Sequence, residues 1–242
     1  ALVGFREKQS GYLTVMDSCL VLHPACALAQ TDLKKLVAYS SINHMGYSLI
    51  GMSAVIAAGS ANGANTTAAQ AGLAGAVFQM FNHGTISAML FILVGVIYDR
   101  AHHREINGFG GLAKQMPIYT GITALAFFAG LGLPGFSGFI SEAMCFIGAF
   151  PVFKGIVIAS TVGILLNAAY FLWAFQRIFF GELNEKYTDL PEINKMELFT
   201  VIPLAVITII LGVYPAPFIN LVKSTLNLMI DMVASGSPIA GM

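Results

Sequence analysis

The chain has 242 residues, 57% of them hydrophobic and only 10% charged, with a mean hydropathy of +0.77. A soluble domain carries about 45–50% apolar and about 25% charged residues, so a water-facing surface is excluded and a lipid-facing one is implied. Formal net charge is zero, from 12 Lys+Arg against 12 Asp+Glu, which excludes the basic field that nucleic-acid phosphates require.

A membrane crossing needs about 20 mostly apolar residues. Residues 11–29 are a weak candidate, since Asp17, His23 and Pro24 fall inside. Residues 36–58 are a better one, opened by Thr31 and Asp32 as an N-cap. Residues 71–98 are strong. Residues 118–150 are apolar but too long for one straight crossing, and the run PGFSG, with Pro134, Gly135 and Gly138, predicts a break. Residues 155–180 and 198–213 are strong, the latter ending at YPAP. Residues 218–233 alternate Leu, Met and Ile with Lys223, Asn227 and Asp231, as an interfacial amphipathic helix or a loosely packed terminal one. The predicted fold is all-α, a polytopic membrane helix bundle with one discontinuous transmembrane helix. It divides into residues 1–28, a membrane domain of about five spans at 29–217, and an amphipathic helix and tail at 218–242.

The loops near residues 30–35, 99–116 and 177–197 fall on one face. They hold eight cations: Lys34, Lys35, Arg100, Arg104, Lys114, Arg177, Lys186 and Lys195. The other face has Lys154 and Lys223, with Arg6 and Lys8 added if the first weak span is real. This bias places the first face in the cytoplasm or the mitochondrial matrix. The uncharged stretch 59–70 suits the opposite side. Arg6, Glu7 and Lys8 interrupt any early apolar run, so no signal-peptide pattern is legible, and the start at Ala1 predicts further sequence upstream. Cys19, Cys26 and Cys145 form no CxxC pair, which leaves neither a zinc nor an iron–sulfur signature and reads as small core residues.

The run GLGLPG at 130–135 fits GxGxxG, but a dinucleotide site needs a strand before it and an acid about 20 residues on, and neither is present. The glycines serve instead to unwind a helix and allow close packing. The informative residues are the ionisable ones inside the spans: His44, His83 and Glu142. A charge in hydrocarbon costs about 2.5–3.5 kcal/mol on insertion scales, so such groups point to function. The structural alternative is a histidine bonded to a neighbouring helix, or a glutamate paired with a buried cation. A break at 134–138 is tolerated where it lines a wet cavity. The second half-helix, starting near Phe139, turns its positive dipole end toward an ionised Glu142, while the apolar surroundings favour the neutral acid. Three such groups on successive spans form a possible proton row. Lys35, at the start of a span, is either a positive-inside anchor or a proton entry point. His102, His103, Arg104 and Glu105 lack the HExxH spacing and read as a solvated loop.

The run AQTDLKKLVAYSSINHMG at 29–46 closely resembles the signature of the antiporter-like membrane subunits of respiratory complex I. QMFNHG at 79–84 resembles the next helix of that family, YDR at 98–100 through GGL at 110–112 its following loop, and LPG at 133–135 through Ser141-Glu142 its broken helix. The resemblance runs from about Ala29 to Val222, and residues 1–28 match it poorly. Glu142 resembles the acid of the M-type subunit (mitochondrial subunit 4), where L-type and N-type subunits and cation/proton antiporters typically carry Lys.

The resemblance implies a proton-translocating subunit of NADH:quinone oxidoreductase, in the bacterial inner membrane or the mitochondrial inner membrane. His44 and His83 stand as relay histidines, Glu142 near the exit and Lys35 at a possible entry. It implies no cofactor or metal in this chain, with NADH, FMN, iron–sulfur clusters and quinone in partner subunits. Family members are about twice this length, and the Glu and Lys motifs of their first half do not occur here. The chain thus corresponds to half of the family's inverted-repeat fold and is not expected to pump protons alone. The alternatives are the same scaffold in a membrane-bound hydrogenase or a cation/proton antiporter, and a membrane scaffold with no proton path.

Overall fold

The computed structural model describes residues 18–60 and 66–234, so the expectations for Gly11 to Asp17 and for the tail beyond 234 lie outside the described residues. Among the described residues there is no strand, only one isolated antiparallel bridge between Asp32 and Glu105. A π-helical turn, Ser18–Leu22, runs into α1, His23–Leu28. The long helices α2, Leu33–Ser60, and α3, Thr66–Ala101, follow. A short α4, Leu112–Gln115, precedes α5, Pro117–Gly130, and α6, Ser137–Ala149. The chain ends with α7, Lys154–Phe179, α8, Lys195–Val213, and α9, Ala216–Ala234. By length and composition α3, α7 and α8 are each able to cross a membrane. Helix α6 begins at Ser137, two residues before Phe139, and α3 begins at Thr66, five residues before the start of the apolar run at 71.

The helix starts follow from capping. Asp32 Oδ1 accepts the backbone N–H of Lys34 (2.8 Å) and Lys35 (3.1 Å), which opens α2. Asn194 and Glu197 form a reciprocal capping box on α8. The carboxylate of Glu192 caps α5 from 74 residues away, accepting the N–H of Ile118 (2.9 Å) and Tyr119 (3.1 Å).

The three loops assigned to one face lock together there. Leu33 N–H donates to Arg104 O and Ile106 N–H to Thr31 O. Arg104 Nε lies 3.4 Å from Asp32 Oδ2, and Gly111 N–H donates to Phe180 O. Arg100 ties α3 to the stretch before α8, pairing with Glu197 at 2.7 and 3.0 Å and donating to the carbonyls of Pro191 and Glu192. The segment at His102 to Glu105 is solvated only in part: His102 and Glu105 are exposed, while His103 and Arg104 pack against neighbouring loops. His103 stacks on Phe109 (centroids 4.3 Å apart) and hydrogen-bonds Tyr187. Partial burial raises the Tyr187 phenol above its ordinary pKa, so it stays neutral.

Beneath these loops lies an apolar core that includes Leu36, Val37, Leu93, Ile97, Phe171 and Phe179. Farther along α3, close backbone packing takes over. Lipid tails are as apolar as leucine, so small residues that let helices approach hold such bundles. Gly51 and Gly75 both pack against Cys145, and Gly148 against Gly72. A Cβ on Gly148 would fall on the backbone of Gly72, whereas one on Gly84 would meet nothing within 4 Å. Gly148→Ala is expected to destabilise the bundle by about 1–3 kcal/mol, as overpacking does. Thermal unfolding in detergent should show a lowered midpoint for it and an unchanged or raised one for Gly84→Ala, since alanine is the better helix former.

These contacts also fix the path of α5 and α6. Tyr119 Oη donates to Leu93 O, Gly130 lies by Ile86, Asn82 bonds Ser137, and Gly148 meets Gly72. Partners on α3 thus fall in number as the α5–α6 chain rises, so both short helices run antiparallel to α3, one after the other. The non-helical residues 131–136 lie between them, against Gly212 of α8. Helix α9 lies lengthwise on α3: Phe218 packs on Phe78 and Phe81, and Leu226 and Ile230 on Ala69 and Leu73.

Candidate functional site

Three helices bring His44, His83 and Glu142 together. His44 is on α2, His83 on α3 and Glu142 on α6, one turn past the break. His44 Nδ1 lies 3.5 Å from Glu142 Oε1, and the His44 and His83 rings are 5.6 Å apart by centroid. His44 is therefore the middle member. Both His44 and Glu142 are 5% exposed, which leaves bulk water little access to either.

The carboxyl group reaches this position because the break is built around it. Gly132 and Gly135 have φ of +75° and +100°, the left-handed region that favours glycine. A Cβ on Gly132 would come within 2.7 Å of Glu142 Oε2, and one on Gly138 within 2.8 Å of Ala129 O. Pro134 and Gly135 lie on the exposed side of the break, while Gly138 faces the site. Gly132 is a site residue that the sequence does not single out, because it stands out there only inside a false dinucleotide motif. Gly132→Ala is expected to displace the Glu142 carboxyl. It should lower any proton flux through the site more than Gly121→Ala, where a Cβ meets nothing within 4 Å. Flux measurements on the assembled complex check this.

A directed set of side-chain hydrogen bonds fixes the cluster. Asn82 Nδ2 donates to Ser137 O (3.0 Å) and to Ser141 Oγ (2.9 Å). Ser141 Oγ donates to Gln79 Oε1 (2.5 Å), and Gln79 Nε2 approaches His44 Nδ1 (3.3 Å). An amide nitrogen only donates, so His44 Nδ1 is the acceptor and the neutral ring carries its proton on Nε2. Among the described residues, buried polar atoms remain without a hydrogen-bond partner, including His44 Nε2, Glu142 Oε1 and Asn82 Oδ1. His44, Gln79, His83, Ile86, Ala129, Gly138 and Glu142 enclose about 10 Å³, close to the space one water molecule needs. His83 is less enclosed, with Ser87 Oγ 3.1 Å from its Nδ1. Lys35 is not part of this cluster: it is exposed at the start of α2, about 14 Å along the helix axis from His44. Among the described residues no group of three or more His, Cys, Asp or Glu is placed to hold a metal ion.

Residues 12–167 match the transmembrane family described as NADH:quinone oxidoreductase/Mrp antiporter, and the chain belongs to that family. The match begins at residue 12, upstream of the motifs that start at Ala29. The chain is 40% identical over 218 residues to NADH-quinone oxidoreductase subunit M of Rhodobacter capsulatus, covering 89% of this chain and 40% of that one. It is 37% identical over 205 residues to NADH-ubiquinone oxidoreductase chain 4 of Chondrus crispus, covering 84% and 39%. With F(420)H(2) dehydrogenase subunit M of Methanosarcina mazei it shares 34% over 223 residues, covering 92% and 42%. The chain thus spans about two fifths of the length of these curated relatives. Two solved structures share its fold. One is a chain of respiratory complex I from Thermus thermophilus, with TM-score 0.81, 24% identity, and coverage of 96% of this chain and 46% of that one. The other is a chain of an archaeal membrane-bound sulfane sulfur reductase, with TM-score 0.74, 24% identity, and coverage of 88% and 33%. The protein is an integral membrane helix bundle, and subunit M among the relatives agrees with the M type indicated by Glu142.

Proposed function

We propose that this chain is a proton-carrying membrane subunit of an NADH:quinone oxidoreductase in a bacterial or mitochondrial inner membrane. It works with partner subunits that hold FMN and iron–sulfur clusters and that react with NADH and quinone. The observation that carries the reading is the 3.5 Å approach of Glu142 to His44 inside an apolar bundle, beside a break in a helix. Helices α5 and α6 together make one discontinuous crossing, within a membrane domain at 29–217. A protonated Glu142 gives its proton to His44 Nδ1 and becomes a carboxylate. His44 in turn releases a proton from Nε2 on the side of His83, 5.6 Å away, across a distance one water molecule bridges. The relay resets when Glu142 takes up a new proton and the His44 ring returns from the Nδ1–H to the Nε2–H tautomer. The chain spans about two fifths of its relatives, so the pump needs the other half of the inverted repeat.

The relatives support a second reading for the electron donor. The Methanosarcina mazei relative is named for F(420)H(2), so the same proton path fits more than one reductant.

Reconstitution of the complete assembly in vesicles tests the proton path. His44→Leu, close in bulk but without ring nitrogens, is expected to lower coupled proton flux at least about tenfold, the effect of about 1.4 kcal/mol on the barrier. Full-rate flux in an intact His44→Leu assembly would refute the relay.

A further inference from the structure

Helices α2 and α7 each bury a polar stripe, and the two stripes face one another. On α7, Ser160, Asn167 and Tyr170 are each 0% exposed. Together with Gly163 they fall three, four and three residues apart, which places them on one helical face. On α2, Ser40, Asn43, Tyr47 and Ser48 are at most 1% exposed, and Ser40, Asn43 and Tyr47 share a face by three- and four-residue spacing. Gly163 makes room for the backbone of Leu20, whose O a Cβ there would overlap, and Asn43 Oδ1 lies 3.4 Å from the same point. Tyr170 Oη donates to Asn167 Oδ1. Asn43 Nδ2 donates to Tyr47 Oη at 3.2 Å.

The seam reaches the site already described. The Tyr47 ring lies edge-on to His44 with centroids 6.0 Å apart. Three side-chain oxygens near it, Asn43 Oδ1, Ser48 Oγ and Ser160 Oγ, are buried with no hydrogen-bond partner among the described residues. A buried polar group left unbonded in an apolar medium costs about 1–3 kcal/mol, and a bridging water removes that cost. Helix packing alone offers no reason to bury two tyrosines, two asparagines and three serines against each other where apolar side chains would serve. Leu36, Val37 and Ile178 close the cytoplasmic or matrix end.

We propose that the α2–α7 seam is a hydrated proton branch, in which hydroxyls of Tyr170, Tyr47 and Ser40, bridged by water, pass protons to and from the Glu142–His44 pair. The inference rests on the proton-carrying reading of that pair. Each hydroxyl accepts a proton on oxygen and releases its own to the next oxygen, so the seam returns to its starting charge after each passage. Asn43 donates to Tyr47, and Asn167 donates to Gly130 O and accepts from Tyr170, which holds the line in place.

The test uses the complete assembly in vesicles, comparing Tyr170→Phe, Tyr47→Phe and Ser40→Ala with Glu142→Gln. Glu142→Gln abolishing flux while each seam variant slows flux severalfold, with an altered solvent deuterium isotope effect, supports the branch. Loss of flux in Glu142→Gln alone, with the seam variants at full rate and unchanged isotope effect, overturns the branch and leaves the relay standing. Full flux in Glu142→Gln removes the relay and the branch together. If a tyrosine variant fails to assemble, a high-resolution map of the unmodified assembly decides. Ordered water bridging Asn43, Ser48 and Ser160 is expected, and a dry seam overturns the proposal.

Discussion

Glu142→Gln in the assembled complex is expected to cut proton translocation by at least about a hundredfold, the lower end of what a positioned acid–base group contributes. Gln has the same shape and can still hydrogen-bond, but it neither gains nor loses a proton at working pH. Structural side effects should be small, since an amide at this depth is less costly than a charge of about 2.5–3.5 kcal/mol on insertion scales. Thermal midpoint and subunit content should therefore stay at the unmodified level while flux falls. Glu142→Asp keeps the carboxyl but withdraws it from His44 by one methylene, so an intermediate flux is expected. Acid-quenched pumping in vesicles, measured beside quinone reduction, checks all three.

Arg100→Ala is expected to destabilise the bundle by about 1–3 kcal/mol, because it strips the part-buried Glu197 carboxylate and three backbone carbonyls of their charged donor. The Arg100 side chain is 9% exposed. Its guanidinium bonds both oxygens of Glu197 and the carbonyls of Val96, Pro191 and Glu192. The loss would propagate: Glu192 caps α5, and α5 leads into the break that presents Glu142. Arg100→Lys should recover only part of the stability, since one ammonium cannot reproduce the planar fork. Thermal unfolding in detergent measures the effect, with Lys154→Ala, remote from this clasp, as the unaffected control.

Much of this architecture is legible in the amino-acid sequence. Long apolar runs locate helices because lipid leaves the backbone no other way to satisfy its hydrogen bonds. Proline and glycine at 134–138 signal the interruption, and the excess of Lys and Arg groups three loops that do meet at one end. His44, His83 and Glu142 stand out because ionisable groups are rare in such runs. The residues that the sequence leaves hidden have a common physical cause. Ser160, Asn167 and Tyr170 are ordinary in an apolar helix, and only the rotation of α7 against α2 turns them into a stripe facing another stripe. The Glu192 cap on α5 and the His103–Tyr187 contact join residues 74 and 84 positions apart, a pairing that hydropathy cannot encode. Gly132 matters for where Glu142 lies, which depends on the break's left-handed turn rather than on composition.

The central claim, that this chain carries protons within a quinone-reducing complex, is tested most directly by native mass spectrometry of the detergent-solubilised assembly that contains it. The account predicts flavin and iron–sulfur subunits in the same particle, together with a membrane chain or segment supplying the other half of the repeat. Nickel–iron hydrogenase subunits in their place would keep the proton path and change the electron donor. Recovery of this chain alone from an intact membrane extract would contradict the account.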